Sequence, residues 1–399
     1  MSEHAGAVQA EPFAVDFPDS ELADLRVRLG NTRWADDLAN SDWRYGVERG
    51  WLEDMIRYWR DEYDWRAVET EINRHPQFKA MIDGVPIHFL HVRGKGPNPM
   101  PLLLVHGWPW TFMDFHQLIG PLTDPAAHGG NPADSFDLVI PSLPGHGFSM
   151  PLTKPGLDVP AHVDLFSKLM TEVLGYSRFA IGGGDWGAAI TNLMAHTYPD
   201  RVIGLLATIP FYPGLDLTKV TPDDYAPDEQ WMLDRQAESG PTVVSHFTVQ
   251  STDPQTLAYA LVDSPVGTAA WLWERRRSWS DCGGDLFNAY DRDWLCTLAS
   301  IYWLTRTVGT SLRLYFEHAR SGGLPFRLLH DRKPAIEVPC GYVIGPKEVM
   351  LVPRKLVEAN TNLRRWSLLP KGGHFSFAEQ PALLTEELRS FFRPLRNVG

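Results

Sequence analysis

A carboxylate stands at the centre of the segment best suited to chemistry, a glycine-rich run between an apolar stretch and a helical pattern. The run is Gly-Gly-Gly-Asp-Trp-Gly at 182–187, and it follows the apolar residues 179–181. A tight turn that holds a strained nucleophile leaves no room for side chains beside it. The start of the following helix adds positive potential, which keeps a carboxylate ionised. The pattern predicts Asp185 as a nucleophile on a strand–turn–helix, with Gly183 and Gly187 as its small flanks.

Two other interpretations of the same glycines stay open. Gly182, Gly184 and Gly187 fit the G-x-G-x-x-G fingerprint of dinucleotide-binding proteins, which would predict an NAD-dependent oxidoreductase. Against it, the motif lies far from the first strand, and a carboxylate and an indole would stand where pyrophosphate should sit. The next acid, Asp200, precedes a strand, whereas the ribose-binding acid should follow one. A purely structural turn would leave a carboxylate among four glycines unexplained.

A carboxylate that attacks carbon forms an ester, and releasing the ester requires water and a base to activate it. His374 lies on a glycine loop directly after the last predicted strand, where a base that follows nucleophile and acid in chain order is expected. The acid that orients it should follow the preceding strand, at 340–344. Glu348 is the first acid beyond that strand, while Asp331 and Glu337 lie before it and are worse placed.

Donors for the oxyanion formed on the ester are predicted at two backbone positions. One is the N–H of Trp186, directly after the nucleophile. The other lies on an earlier loop, where the apolar residues 102–105 lead into His-Gly-Trp-Pro at 106–109. Trp108 is the better candidate there because Pro109 has no N–H, and His106 is expected to brace the loop.

The elements around these residues predict an α/β fold with a mostly parallel sheet. Short apolar strands alternate with helices from about residue 85, and near-continuous apolar runs are typical of strands buried on both faces. The predicted strands are 85–91, 102–105, 136–140, 179–181, 202–208, 340–344 and 363–369, and the helices within this part are 188–196 and 381–392.

Four regions follow from the change of pattern along the chain. Residues 1–80 are predicted to be helices with connecting loops that pack on a core at 81–210. The strand–helix rhythm stops at 211–330, a segment rich in Trp and Tyr that is predicted to be a helical lid, and the core resumes at 331–399. Helical patterns in the lid cover 228–238, 254–260, 268–276 and 294–306.

Composition excludes several classes of protein. The chain has 399 residues, 37 Lys+Arg and 49 Asp+Glu, and a formal net charge of −12, which argues against nucleic-acid and anionic-membrane partners. Its one dense basic run, at 275–277, is typical of a solvated helix face. Three widely spaced cysteines predict neither a metal site nor a disulfide framework. No signal peptide or membrane span is recognised, so a cytoplasmic protein is expected. The oligomeric state stays open, a homodimer included.

Taken together, these motifs resemble the epoxide hydrolases of the α/β-hydrolase superfamily, specifically the microsomal-type branch with an N-terminal helical extension. The resemblance spans nearly the whole chain, and the set in this order is more specific than any one motif. It rests on 12–34, Pro-Gln-Phe at 76–78, His-Gly-Trp-Pro at 106–109, Gly-Gly-Asp-Trp-Gly at 183–187, Asp-Ser-Pro-Val-Gly at 263–267 and Gly-Gly-His-Phe at 372–375.

The resemblance implies that Asp185 opens an epoxide and that water activated by His374 and Glu348 hydrolyses the ester, with no cofactor or metal. A small-molecule epoxide and water are the implied partners. The family usually places two lid tyrosines over the nucleophile to protonate the epoxide oxygen. Tyr315 matches the second, whereas His246 stands where the first is expected. An imidazole could donate as neutral N–H or as the cation, or the exchange could reshape the pocket, alter regiochemistry or remove activity.

Two further functions remain as alternatives. A haloalkane dehalogenase also uses Asp-Trp at this turn and holds halide by indole N–H groups, but it needs no acid such as Tyr315. A non-catalytic binding protein on the same fold is disfavoured by the complete Asp–Glu–His set. The predicted pocket comprises Trp108, Trp186, His246, Tyr315 and Phe375. The aromatic lid favours a bulky or aromatic epoxide, such as a biosynthetic intermediate.

Overall fold

The computed structural model describes residues 9–321 and 330–397, so the ends of the chain and part of the predicted lid (322–329) lie outside the described residues. Nine strands form one sheet in the order β1-β2-β3-β5-β4-β6-β7-β8-β9. The pairs β1–β2, β2–β3 and β3–β5 are antiparallel, and the remaining pairs are parallel. The predicted mostly parallel sheet is therefore confirmed. The strands are β1 (Glu11–Phe13), β2 (Gln77–Ile82), β3 (Val85–Val92), β4 (Met100–Val105), β5 (Phe136–Pro141), β6 (Phe179–Gly183), β7 (Val202–Ala207), β8 (Ile336–Ile344) and β9 (Thr361–Leu368).

The parallel part of the sheet brings several loops to one edge. Strands β5 and β6 are buried along their whole length, as expected for strands covered on both faces. Val105 at the end of β4 is in register with Gly183 at the end of β6, and Ala207 of β7 is in register with Tyr342 of β8. The loops after β4, β6 and β8 therefore leave the sheet side by side, at its carboxyl edge.

Helices cover this sheet on both faces. The helix that follows β6 is buried at almost every position, because it packs directly on the sheet. The helix at the end of the chain has the bounds predicted for it. These core helices are α4 (His116–Thr123), α5 (Val159–Lys168), α6 (Trp186–Thr197), α13 (Arg354–Asn360), α14 (Ser376–Glu379) and α15 (Pro381–Phe392).

The N-terminal region contains strands as well as helices. The prediction of helices and loops throughout 1–80 is wrong at Glu11–Phe13 and from Gln77 onward, where β1 and β2 extend the sheet. A three-residue edge strand is too short to show alternation in the sequence. The helices α1 (Asp19–Gly30), α2 (Arg49–Asp61) and α3 (Trp65–Ile72) lie between them.

The N-terminal helices are joined to the lid as well as to the sheet. The Trp59 indole on α2 donates a 2.9 Å hydrogen bond to the hydroxyl of Ser300, which belongs to the lid. The Tyr63 and Thr297 hydroxyls are 3.0 Å apart at the same interface. The described part of this lid contains six α-helices, and they are α7 (Trp231–Thr252), α8 (Pro254–Asp263), α9 (Pro265–Trp279), α10 (Arg292–Leu304), α11 (Thr307–Ser311) and α12 (Arg313–Arg320).

One lid helix is much longer than predicted. The pattern at 228–238 ends before Gly240 and Pro241, which normally stop a helix. In the structure α7 begins at Trp231 and continues through Pro241 to Thr252. The part beyond Pro241 carries His246, so this extension brings a predicted site residue onto a helix facing the sheet.

The basic run at 275–277 is not a solvated face. Arg276 is fully buried, and its guanidinium forms two hydrogen bonds with the equally buried carboxylate of Asp114, at 2.7 and 3.0 Å. The same guanidinium donates to the carbonyl oxygen of Pro109 at 2.7 Å. A buried charge requires such a partner, and this one ties the lid to the loop after β4. Within the described residues, no helix combines the length and the apolar character that crossing a bilayer requires.

Candidate active site

Asp185 lies in the turn between β6 and α6 with a strained backbone. Its φ of 52° is in the left-handed region, which residues with a side chain rarely adopt outside functional turns. The turn is crowded, since α6 passes so close to β4 that a Cβ on Gly187 would lie 1.8 Å from the carbonyl oxygen of Val105. The close approach of α6 to β4 accounts for the glycine in the sequence motif and needs no bound nucleotide.

The loop after β4 supplies a donor to this carboxylate. The backbone N–H of Trp108 donates a 2.7 Å hydrogen bond to Asp185 Oδ1. A Cβ on Gly107 would lie 2.1 Å from the same oxygen, so only glycine allows the approach. His106 braces the loop as predicted, since its Nε2 accepts a 3.1 Å hydrogen bond from the N–H of Leu143. Trp186, the other predicted donor, begins α6 directly after Asp185.

The structure brings the predicted base and acid to Asp185. His374 Nε2 lies 3.2 Å from Asp185 Oδ2, and His374 Nδ1 lies 2.6 Å from Glu348 Oε1. The Glu348 oxygen also accepts from the N–H groups of Val349 and Met350, at 2.7 and 3.2 Å. The side chains of His374 and Glu348 are 1% and 0% exposed, so this chain of contacts is shielded from water.

Neighbouring carboxylates control the charge of His374. Burial by itself would lower its pKa, because it disfavours the imidazolium. The charge of Glu348 and the contact with Asp185 outweigh burial and raise the pKa of His374 to about 10. With an ionised Asp185 beside it, the imidazole therefore carries a proton at neutral pH.

The opposite wall of the site belongs to the lid. Tyr315 on α12 and His246 on α7 meet there, with the Tyr315 hydroxyl 3.2 Å from His246 Nε2. The His246 ring stacks on Trp108 with centroids 5.3 Å apart and planes at 7°. The Tyr315 ring stands edge-on to Trp186, with centroids 4.8 Å apart. The two lid residues singled out in the sequence are thus brought together over Asp185.

The protonation of His246 follows from its surroundings. Burial and the charge of Arg275 lower the pKa of His246 to about 3, so the ring is neutral at neutral pH. Its Nδ1 lies 3.4 Å from the carbonyl oxygen of Thr242, which can only accept a hydrogen bond. Nδ1 therefore carries the hydrogen, and Nε2 accepts from the hydroxyl of Tyr315. Burial and the charge of Asp185 raise the pKa of Tyr315 well above its ordinary value.

A cavity of about 70 Å³ lies between these walls. Phe375 does not line it, because its ring packs against Trp279 and Trp110 and beneath the guanidinium of Arg276. Trp108 is also absent from the lining, although its N–H reaches Asp185. The lining residues are Asp185, Trp186, Ala189, Phe211, Val243, His246, Phe247, Trp279, Tyr315, Val349, Met350 and His374.

Several lining residues were missed in the sequence. Val243 and Phe247 belong to the same face of α7 as His246, at the spacing of neighbouring helical turns. Extending the predicted helix through Pro241 would have found them. Phe211 and Met350 lie on loops, where no periodic signal exists.

The strand–turn–helix that carries Asp185, the two loops that converge on it and the helical lid define an α/β-hydrolase-fold enzyme. Comparison of the sequence with known protein families supports this class. The family described as "Epoxide hydrolase N terminus" matches residues 10–115, and the family described as "alpha/beta hydrolase fold" matches residues 100–251.

Similar proteins cover almost the entire chain. One named "Putative epoxide hydrolase", from Stigmatella aurantiaca, is 40% identical over 96% of this chain and 85% of its own length. Epoxide hydrolase 1 of Sus scrofa is 35% identical over 95% of this chain and 88% of its own. The solved structure of juvenile hormone epoxide hydrolase from Bombyx mori superposes with a TM-score of 0.86 at 27% identity, covering 98% of this chain and 96% of that one. The chain belongs to the epoxide hydrolase family, and the family and fold predicted from its motifs are confirmed.

Proposed function

We propose that the protein hydrolyses an epoxide to a vicinal diol through an ester formed on Asp185. Membership of the epoxide hydrolase family supports the overall reaction. The observation that carries the mechanism is the line of contacts from Asp185 through His374 to Glu348, at 3.2 and 2.6 Å. These contacts join the proposed nucleophile to the base that would activate water to hydrolyse its ester.

In the first step Asp185 Oδ2 attacks one carbon of the epoxide, and the bond from that carbon to the ring oxygen breaks. Oδ1 is held by the N–H of Trp108 at 2.7 Å, whereas Oδ2 has the longer contact of 3.2 Å with His374 Nε2 and is the oxygen proposed to attack. The electron pair of the broken bond moves to the ring oxygen, which would otherwise leave as an alkoxide. A proton donor on the opposite wall makes this step favourable.

Tyr315 is the proposed donor, and His246 is its positioning residue. The neutral His246 ring accepts from the Tyr315 hydroxyl through Nε2, so it orients that hydroxyl in the free enzyme. Donation from a His246 cation is disfavoured because of its lowered pKa. The proton leaves the Tyr315 oxygen for the alkoxide, and the phenolate regains one from the His374 imidazolium through solvent. This transfer leaves His374 neutral for the next step.

In the second step His374 takes a proton from water, which attacks the carbonyl carbon of the Asp185 ester. The tetrahedral intermediate then collapses, the bond from the carboxyl carbon to Oδ2 breaks, and the departing diol oxygen takes the proton from His374. The new carboxyl group passes its own proton to His374, which restores the Asp185 carboxylate and the imidazolium of the free enzyme. Esterification removes the negative charge of Asp185, one of the interactions that raise the pKa of His374. The base thus becomes available only after the ester has formed. The oxyanion develops on Oδ1, where the N–H of Trp108 already donates, and Trp186 N–H is the proposed second donor.

The substrate is proposed to carry apolar substituents, because the lining is largely aromatic and aliphatic. The volume of about 70 Å³ is small compared with pockets of roughly 300–1,000 Å³ that hold drug-sized ligands. A small epoxide is therefore proposed, rather than the bulky or aromatic epoxide favoured by the sequence.

Haloalkane dehalogenation remains a second candidate on one observation. The indole of Trp186 lines the cavity directly beside Asp185, and its N–H could hold a halide. Halide release from haloalkanes, compared with diol formation from epoxides at equal enzyme concentration, distinguishes the two. Diol formation alone is expected.

The test of the proposed mechanism is a single turnover in H₂¹⁸O with enzyme in excess over epoxide. Water attacks the ester at the carboxyl carbon, so ¹⁸O is expected in the Asp185 carboxylate and not in the first diol released. Peptide mass spectrometry locates the label. If the diol carried ¹⁸O in that first turnover, water would attack the epoxide directly and the ester mechanism would be wrong.

A further inference from the structure

A second carboxylate holds the loop that carries His374. Glu379 Oε2 accepts a 2.9 Å hydrogen bond from the N–H of Gly373, and Oε1 accepts one of the same length from the N–H of Phe375. The two N–H groups flank His374 on either side. Glu379 Oε2 also accepts from the N–H of Asp281, at 2.8 Å, and Asp281 follows the end of lid helix α9. One carboxylate thus bridges the base loop and the lid.

The lid completes the attachment of this loop. The N–H of His374 itself donates to the carbonyl oxygen of Trp279 at 2.9 Å, and the N–H of Gly372 donates to Asp281 Oδ2 at 2.9 Å. A Cβ on Gly373 would lie 2.4 Å from the Trp279 carbonyl oxygen, which shows how closely the loop approaches the lid. All four consecutive N–H groups from 372 to 375 are therefore taken up by the lid or by Glu379.

The Glu379 carboxyl group is buried, and burial disfavours its charged form. Burial of the carboxyl group raises its pKa to about 7, although hydrogen bonds from three backbone N–H groups and the charge of Arg276 act in the opposite direction. A carboxylate with three N–H donors is matched to its ionised form. An amide in its place would present an NH₂ group to at least one of these donors, so the loop would have to shift.

We propose that Glu379 is a positioning residue for His374. It fixes the base loop against the lid, so that Nε2 keeps its place beside Asp185 and the attacking water. This inference rests on the proposed function, in which His374 acts as a base only when the ester is hydrolysed. Loss of the Glu379 charge should therefore slow ester hydrolysis while leaving ester formation nearly unchanged.

The experiment resolves the two steps in Glu379→Gln by rapid quench with an epoxide that the wild-type enzyme turns over. We expect ester formation within about threefold of wild type and a burst of one ester per enzyme. Ester hydrolysis should be slower by about tenfold, since misplacement by a fraction of an ångström is costly for a base. Glu387→Gln is the matched control, because Glu387 on α15 forms an ion pair with Arg365 on β9, away from the site. It should leave both steps unchanged.

Hydrolysis at the wild-type rate, or an equal loss in both steps with a reduced burst, would overturn the inference and leave Glu379 a purely structural residue. If Glu379→Gln does not fold, Glu379→Asp keeps the charge with a shorter reach, and the same selective slowing is expected of it. His374→Gln in the same assay separates this inference from the proposed function. If His374→Gln accumulates ester while Glu379→Gln and Glu379→Asp hydrolyse it at the wild-type rate, only the role of Glu379 is refuted. If no variant forms ester, the proposed mechanism itself is refuted.

Discussion

The sheet wall and the lid wall of the cavity are built in different ways. On the sheet wall, Asp185, His374 and Glu348 are linked by hydrogen bonds of 2.6–3.2 Å, and backbone N–H groups hold both carboxylates. On the lid wall, Tyr315 and His246 share one 3.2 Å contact, His246 Nδ1 lies 3.4 Å from the Thr242 carbonyl oxygen, and both rings pack against aromatic neighbours. Backbone donors belong to the fold, whereas ring packing can change with single substitutions.

This difference indicates a division of work. The sheet wall carries the proposed nucleophile, base and oxyanion donors, and these roles do not depend on the substituents of the substrate. The lid wall supplies the proposed acid and five of the twelve lining residues, and we expect it to meet the variable part of the substrate. His246, which stands where the resemblance predicted a tyrosine, also lies on the lid wall.

Removing the nucleophile should have the largest effect, because nothing on the lid wall replaces it. Asp185→Ala is expected to reduce turnover of epoxide by at least about 10⁴-fold, with no ester detected. Diol formation followed by chromatography checks this result. Residual turnover near the wild-type rate would mean that water attacks the epoxide directly.

Tyr315→Phe should slow ester formation by about 10²–10³-fold, since it removes the proposed acid. His246→Phe removes one hydrogen bond to Tyr315, worth about 0.5–1.5 kcal/mol, so a loss of roughly twofold to tenfold is expected. Stopped-flow measurement of ester formation compares them. Equal losses would show that His246 donates the proton itself, and an unchanged rate in Tyr315→Phe would refute its assignment.

The attachment between the walls can be broken at the Arg276–Asp114 pair. Arg276→Met leaves the buried Asp114 carboxylate without its partner and should lower the free energy of unfolding by about 3–5 kcal/mol. Arg277→Met is the neighbouring control, since Arg277 donates to the Gly284 carbonyl at the surface, and a much smaller loss is expected. Urea unfolding measures both, and equal stabilities would contradict the importance of the buried pair.

A smaller effect sharpens the description of the sheet wall. Asp185→Ala should lower the pKa of His374 below its value of about 10, because it removes a charge that favours the imidazolium. The neutral form is the base, so ester hydrolysis in the active enzyme should fall as pH decreases through the pKa of His374 in the ester. NMR titration of the imidazole nitrogens gives the first quantity. An unchanged pKa would mean that Glu348 alone sets the charge.

The sheet wall was largely predictable from the sequence, since glycine patterns and apolar strands mark Asp185, His374 and the loop at Trp108. Chain order and the resemblance to the family also led to Glu348, which contacts His374 behind the cavity, and to Tyr315, which lines it. The lid was harder to predict, because the sequence pattern gives no sign that a helix continues through Pro241. Buried charges were also hidden, since the pairing of Arg276 with Asp114 joins residues far apart in the chain.

The most direct test of the ester mechanism is intact-protein mass spectrometry of His374→Gln after exposure to epoxides. Without its base the protein should form the ester and release it about 10²–10⁴-fold more slowly. The predicted result is a mass increase equal to the whole epoxide, located on Asp185 by peptide mapping. No adduct with an epoxide that the wild-type enzyme hydrolyses, or an adduct on another residue, would contradict Asp185 as the nucleophile.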